Sequence, residues 1–287
     1  MRVQFHGRTD PGRRRETNED AFAVSDEGAF CVLCDGMGGH SSGEVASRMA
    51  VDIVADRLRR LLPSAEERRR RSRGEMTRVK ESLPDLIQEW LRAANNAIYE
   101  RGAAEPGVQL GRNMGTTVAL LCVVEDLALV AHVGDSRIYR LRGERIEPLT
   151  RDHSVTAPEV GNGKSGRKRK YVTRALGTKP EVVPDVLTVD VRPGDFFVLC
   201  SDGLTDLVTD GEIAHAVRER MAEAANIPAA LVNLANERGG RDNITVIIAS
   251  VEAERASFDS SDGLPSLAPP PLEPPPPWES SDLEETA

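Results

Sequence analysis

The sequence is poor in several things, and each shortage removes a class of protein. Four cysteines in 287 residues, at positions 31, 34, 122 and 200, cannot build a disulfide-dense scaffold. Aromatic residues make up only 4% of the chain, so any core must be aliphatic. No apolar run is long enough to span a bilayer. The N-terminal MRVQFHGRTD lacks the apolar core of a signal peptide. These absences point to a cytoplasmic protein of a reducing compartment with no membrane partner. Positive charge is also short: the net charge is −9. Nine acidic residues and one basic residue fall in 252–287, which leaves residues 1–251 nearly neutral. Such a body has no overall charge suited to nucleic acid.

The acidic segment 252–287 carries eight prolines, including PPP at 269–271 and PPPP at 274–277. Its composition cannot bury enough apolar surface to offset ordering entropy, and a disordered tail with polyproline II character is expected. It is either passive or a docking segment for an aromatic-lined groove, with Trp278 as an anchor.

Residues 1–251 alternate strand and helix patterns. Short apolar strands are expected at Phe22–Ser25 and Ala29–Cys34, then at Thr116–Val124, Leu127–Val133, Arg137–Leu141 and Arg145–Leu149, with further strands at Asp195–Ser201 and Ile244–Val251. Short turns such as Glu125-Asp126 and Arg142-Gly143 make neighbours antiparallel. Helices are expected over Gly43–Leu62, with a stripe of Val45, Met49, Ile53 and Leu58, and over Ser82–Tyr99, with a stripe of Leu86, Trp90, Ala94 and Ile98. The EERRRRSR run between them reads as a solvated loop. Two more helices are expected near Asp210–Glu223 and Pro228–Arg238. The pattern is α+β and layered.

The stretch CVLCDGMGGH (31–40) looks at first like a zinc or redox motif. Cysteines three apart on a strand face opposite ways, so Cys31 and Cys34 read as small buried hydrophobes. The acids are the informative residues. Glu19 and Asp20 precede a strand, Asp35 follows FCVLC, Asp135 follows LVAHVG, Asp202 follows FFVLCS, and Asp242 precedes NITVIIASV. Each marks a strand end, and three of them, Asp35, Asp135 and Asp202, have glycine beside them. Converging carboxylates repel unless a cation neutralises them, and all-oxygen ligation suits Mg²⁺ or Mn²⁺ rather than zinc. A lone Asp-Gly is an ordinary turn; the argument rests on the repetition.

Eight segments in order, RRRETNEDAF, DGMGGHSSGE, MGTTVALL, AHVGDSRIYRL, LTRDHS, VTRALG, FFVLCSDGLTD and RGGRDNITVIIA, resemble those of the bacterial metal-dependent protein Ser/Thr phosphatases of type 2C, the PPM family. They span about residues 5–251. The resemblance implies an α-β-β-α sandwich of two central antiparallel sheets flanked by antiparallel helix pairs, with a two-metal centre at one end. It implies a catalytic domain over 1–251 that hydrolyses phosphoserine and phosphothreonine through a water bridging two Mn²⁺ or Mg²⁺ ions, opposing Ser/Thr kinases. By motif, Asp35 would bridge the ions, Asp202 and Asp242 would complete one, and Glu19 with the Gly36 carbonyl would complete the other. Asp20 would orient a metal-bound water, and Arg15 would hold the substrate phosphate, with Arg13 and Arg14 as register alternatives. Asp135 with Asp202 is the expected place of a third, weaker ion; otherwise Asp135 and Arg137 shape a turn. His40 is one candidate general acid, beside metal-bound water and His153.

The segment VTAPEVGNGKSGRKRKYVT (155–173) is shorter and more basic than the family's flap, through Lys164, Arg167, Lys168, Arg169 and Lys170. It reads as a solvated loop, or as a flap altered toward acidic or multiply phosphorylated substrates and a changed third-ion site. GNGKS fails the phosphate-loop spacing. Two other readings are a phosphoprotein-binding scaffold with the tail as adaptor, and a phosphatase of the same fold acting on small phosphoesters.

Overall fold

A computed structural model describes residues 1–25, 29–38, 42–62, 70, 72–104, 114–158 and 168–253. The tail and its expected docking role lie outside the described residues, as does His40. The strands form two antiparallel sheets and a hairpin. The first sheet runs β1 (Arg2–Asp10), β13 (Ile244–Glu252), β12 (Phe196–Cys200), β7 (Arg137–Arg142), β8 (Arg145–Pro148). The second runs β11 (Asp185–Asp190), β6 (Leu127–Val133), β5 (Val118–Val124), β3 (Phe30–Gly38), β2 (Asp20–Val24), with β4 (Met114–Thr116) added to the end of β3. The hairpin is β9 (Ser154–Pro158) with β10 (Lys168–Val172).

Side-chain parity builds the layers. Along β3, Cys31 and Leu33 point between the sheets, where they meet Ala119, Leu121, Ile138, Phe197, Leu199 and Ile247. Phe30, Val32 and Cys34 point the other way, onto α1 (Ser42–Leu61) and α2 (Arg73–Ala103). On the outer face of the first sheet, Tyr139, Val198, Cys200, Val246 and Ile248 meet α3 (Asp202–Thr205), α4 (Asp210–Glu219) and α5 (Ile227–Glu237). Three apolar interfaces make four layers, as expected. Strands covered on both faces lose the polar alternation, which is why β5 is buried at every position. All four cysteines are free and buried, and Cys31 and Cys34 face different layers.

Several expectations need correction. β1 and β11 were not anticipated; both are edge strands, half-exposed and polar in alternation. The helix expected from Ser82 begins at Arg73, inside the charge run, because Ser72 and Glu75 form a capping box. Its face toward the sheet is Leu83, Ile87, Leu91, Ala94 and Ile98, with Trp90 only flanking. Likewise α1 presents Ala46, Ala50, Val54 and Leu58, while Val45, Met49 and Ile53 sit at the margin. Small residues face the sheet and larger ones seal the edge, so the stripe is rotated by one residue. The strand expected over Thr116–Val124 breaks at Thr117, between β4 and β5. The flap is no plain loop: its two ends pair as β9 and β10.

Phe197 is fully buried between the sheets. Phe197→Ala is expected to lower unfolding free energy by about 3–5 kcal/mol, measured by urea denaturation; a loss under about 1 kcal/mol would show that the sheets do not pack through it.

Candidate metal centre

Strand register brings the acids together. β2 pairs with β3 so that Asp20 stands directly across from Asp35. Like charges at opposed positions destabilise a sheet, so this pairing is held by its surroundings rather than by its own contacts. The Asp35 backbone N–H donates to Thr117 Oγ1 at 3.0 Å, and Asp35 O accepts from the Thr116 hydroxyl and the Thr117 N–H, each at 2.9 Å. The break between β4 and β5 therefore grips the end of β3. Asp20 Oδ2 accepts from Ser201 Oγ at 2.9 Å and Thr245 Oγ1 at 2.6 Å, which links β2 to the other sheet. Asp20 Oδ1 is buried without a partner among the described residues.

The other sheet ends on the same place. Asp202 opens α3 directly after β12, and Asp242 stands just before β13. Gly203 permits this: a Cβ there would lie 2.0 Å from Asn243 O. Asn243, a residue the sequence reasoning passed over, ties the site together. Its side chain accepts from the Glu19 N–H at 2.8 Å and donates to Pro11 O at 3.1 Å and Thr17 O at 2.9 Å, and its N–H donates to Asp242 Oδ1 at 2.9 Å. Its neighbour Asp242 was the only signal. Gly36 sits in a cradle that a Cβ would fill, 2.2 Å from Gly43 O and 2.5 Å from Glu19 O. The Gly36 N–H donates to Glu19 O, which also accepts from Ser47 Oγ at 2.6 Å. Glu19, Gly36 and the first turn of α1 are thus one packed unit.

Arg15 reaches this cluster. Its guanidinium lies 2.7 Å from Asp242 Oδ2 and is half-exposed. Arg13 turns away to Asn236 O at 2.9 Å, and Arg14 is exposed. Of the three arginines, Arg15 is therefore the one aimed at the acids.

The electrostatics are those of uncompensated negative charge. Burial, then Asp20, Asp202, Asp242 and Asp135, push the Asp35 carboxyl far above the usual range. Burial raises Asp20 to about 6 against the pull of Thr245 and Ser201. Burial, with Asp135 and Asp206 next, raises Asp202 to about 7. Glu19 is raised by burial, opposed by Arg15. Oxygen donors, an orphaned buried carboxylate oxygen and acids held against their own repulsion together fit hard divalent cations.

Among the described residues, the group whose ligand atoms all lie within 4.8 Å of one another is a different one: His132, His153 and Asp185. It is built as a strut of hydrogen bonds and stacked rings, although His132 Nδ1 is buried without a partner among the described residues. His153 Nδ1 accepts from the Gly134 N–H at 3.1 Å, so its Nε2 carries the proton toward Asp185 Oδ2, also at 3.1 Å. His132 Nε2 lies 3.0 Å from Arg151 O and its ring stacks on His153. The tautomer of His153 leaves no lone pair for a metal. The acids around Asp35 do not form so tight a group.

The protein phosphatase 2C family model matches residues 12–235. The chain belongs to the protein phosphatase 2C family. It is 33% identical over 259 residues to the protein phosphatase PhpP of Streptococcus pneumoniae, covering 86% of this chain and 97% of that one. It is 30% identical over 276 residues to the serine/threonine phosphatase stp of Listeria monocytogenes, covering 91% and 100%. Among solved structures, the serine/threonine phosphatase PstP/Ppp of Mycobacterium tuberculosis superposes with a TM-score of 0.72 at 30% identity, covering 88% of this chain and 100% of that one. The catalytic domain of PstP in complex with two manganese ions gives 0.71 at 30% identity, covering 88% and 99%.

A carboxyl raised in the folded state contributes its stability below its unfolded value and loses it as pH rises through the folded one. With Asp20 at about 6 and Asp202 at about 7, metal-free protein should lose stability from about pH 4 to about pH 7. Thermal melting should show this fall, Mn²⁺ at pH 7.5 should reverse it, and Asp35→Asn should flatten it. A melting temperature that climbs through this window, unchanged by Mn²⁺, would contradict a shared cation site.

Proposed function

We propose that this protein is a metal-dependent phosphoprotein phosphatase acting on phosphoserine and phosphothreonine, opposing Ser/Thr kinases in the cytoplasm, with residues 1–251 as the catalytic unit. The observation that carries the reading is the cluster around Asp35, where four acids from both sheets meet beside a half-exposed arginine. Asp35, Asp202, Asp242, Glu19 and the Gly36 carbonyl are the groups we assign to hold Mn²⁺ or Mg²⁺. Divalent ions held there would lower the pKa of water and draw charge from phosphoryl oxygens.

The chain's own residues supply the rest. Arg15 is exposed enough to exchange its single contact with Asp242 for the oxygens of a substrate phosphate, which a guanidinium fits in bidentate fashion. Asp20 is fixed by Ser201 and Thr245 and leaves one oxygen free, so it orients what lies between it and Asp35. Ser47 and Asn243 hold Glu19 and Asp242 in place before any ligand arrives. A cysteine nucleophile is excluded by position: all four thiols are fully buried, and burial raises Cys200 to about 12.

Manganese-dependent hydrolysis of a phosphothreonine peptide tests the reading. Asp202→Asn should abolish it, while full activity in that variant, or none in the wild type, would overturn the proposal. Arg15→Lys should lower kcat/KM by roughly 10- to 100-fold, the loss of one charge-assisted hydrogen bond of about 1.5–3 kcal/mol. If kcat/KM toward a small phosphate ester falls equally, Arg15 grips the phosphate itself rather than the peptide.

A further inference from the structure

The flap hairpin reaches back into the centre. Lys170 stands opposite Thr156 in the β9–β10 pairing, and its neighbour Tyr171, opposite Val155, faces outward. Lys170 turns the other way. Its ammonium forms an ion pair with Asp135 Oδ2 at 2.8 Å, an oxygen with no hydrogen-bond partner among the described residues, and lies 3.4 Å from Asp152 Oδ2; only 25% of its side chain is exposed. Asp135 is 2% exposed. Asp152 is otherwise committed, holding Arg137 through both oxygens at 2.7 and 2.9 Å. Asp135 adds negative charge to Asp202 and Asp206, and Lys170 removes it from both. One ammonium thus serves the acids on the side of the centre where sequence reasoning expected a third ion.

We propose that Lys170 supplies to Asp135, as a built-in cation, the charge that a third divalent ion would bring, so that this chain holds two ions and takes no third. The inference rests on the phosphatase reading of the same site. An ammonium offsets carboxylate charge without the ordered octahedral shell a Mg²⁺-like ion demands. It is also tethered, so it is present at the same effective concentration whatever the metal supply. A third ion would have to displace it and leave a lysine without its acidic partners beside its own new charge. The hairpin register makes the pairing possible: β10 places Lys170 on Asp135.

The test is the number of Mn²⁺ ions bound per chain, counted by equilibrium dialysis with elemental analysis on the full chain. The wild type should saturate at two ions and stay there when free Mn²⁺ is raised a further tenfold. Lys170→Met, which keeps the length and removes the charge, should gain a third, weaker ion, and adding Asp135→Asn should abolish it. A third ion in the wild type, or none in Lys170→Met, overturns the inference while leaving the two-ion centre intact. Fewer than two ions in the wild type overturns the two-ion reading and this inference with it. The wild-type count alone decides if the variants do not fold.

Discussion

The placement of Asp20 across from Asp35 is the constraint on which the rest depends. Two carboxylates at one rung of a ladder, with Asp202 and Asp242 arriving from the other sheet, make a region that folding must hold against repulsion. Net stability is a small difference between large terms, so such a cluster survives only where the scaffold over-determines it. Here it lies at the ends of strands that are buried on both faces by three separate apolar interfaces. The groups that fix these acids, Ser201 and Thr245 on the Asp20 carboxylate and Thr117 and Ser47 on the backbone of Asp35 and Glu19, are fully buried themselves. The acids are therefore in position before a cation arrives, and binding does not have to order them.

The counter-charges sort by geometry rather than by residue type. Arg137 is locked on Asp152 by two parallel hydrogen bonds and a third to Tyr139, and it serves the fold. Arg15 makes one bond to Asp242 and keeps half its surface in solvent, which is the arrangement of a group that can change partners. Arg13, two residues earlier, is spent on a backbone carbonyl. From the sequence Arg15 was the expected phosphate ligand, with Arg13 and Arg14 as register alternatives. What separates them is the turn between β1 and β2, and the Asn243 side chain that pins it at Pro11 and Thr17.

That contrast marks what the sequence made legible. The acids could be read because each terminates an apolar run, so one-dimensional position already implied a strand end. A layered α+β arrangement could be read because β5 is apolar at successive positions, which requires cover on both faces; the four-layer sandwich followed from the resemblance. β1 and β11 escaped because an edge strand keeps a polar face and pairs with a partner far off in sequence, Ile244–Glu252 for β1. The helix stripes were offset because hydrophobicity weights Met49 and Trp90 above Ala46 and Ala50, whereas close packing on a sheet favours the small residues. Asn243 carried no pattern of its own; its role lies in hydrogen bonds to Pro11, Thr17 and Glu19 between β1 and β2 and to its neighbour Asp242.

The flap shows the same limit more sharply. Its basic residues formed a single charge run in the sequence, and any of them could have been counted toward the site. Pairing into a hairpin ends that equivalence, because side chains alternate faces along a strand and a slip of one residue exchanges the faces. With the register Lys170 opposite Thr156, the ammonium meets Asp135 and the Tyr171 ring meets solvent. One step of slippage would put a neighbouring residue on that face in place of Lys170. The group that meets Asp135 is thus set by the parity of a five-residue strand.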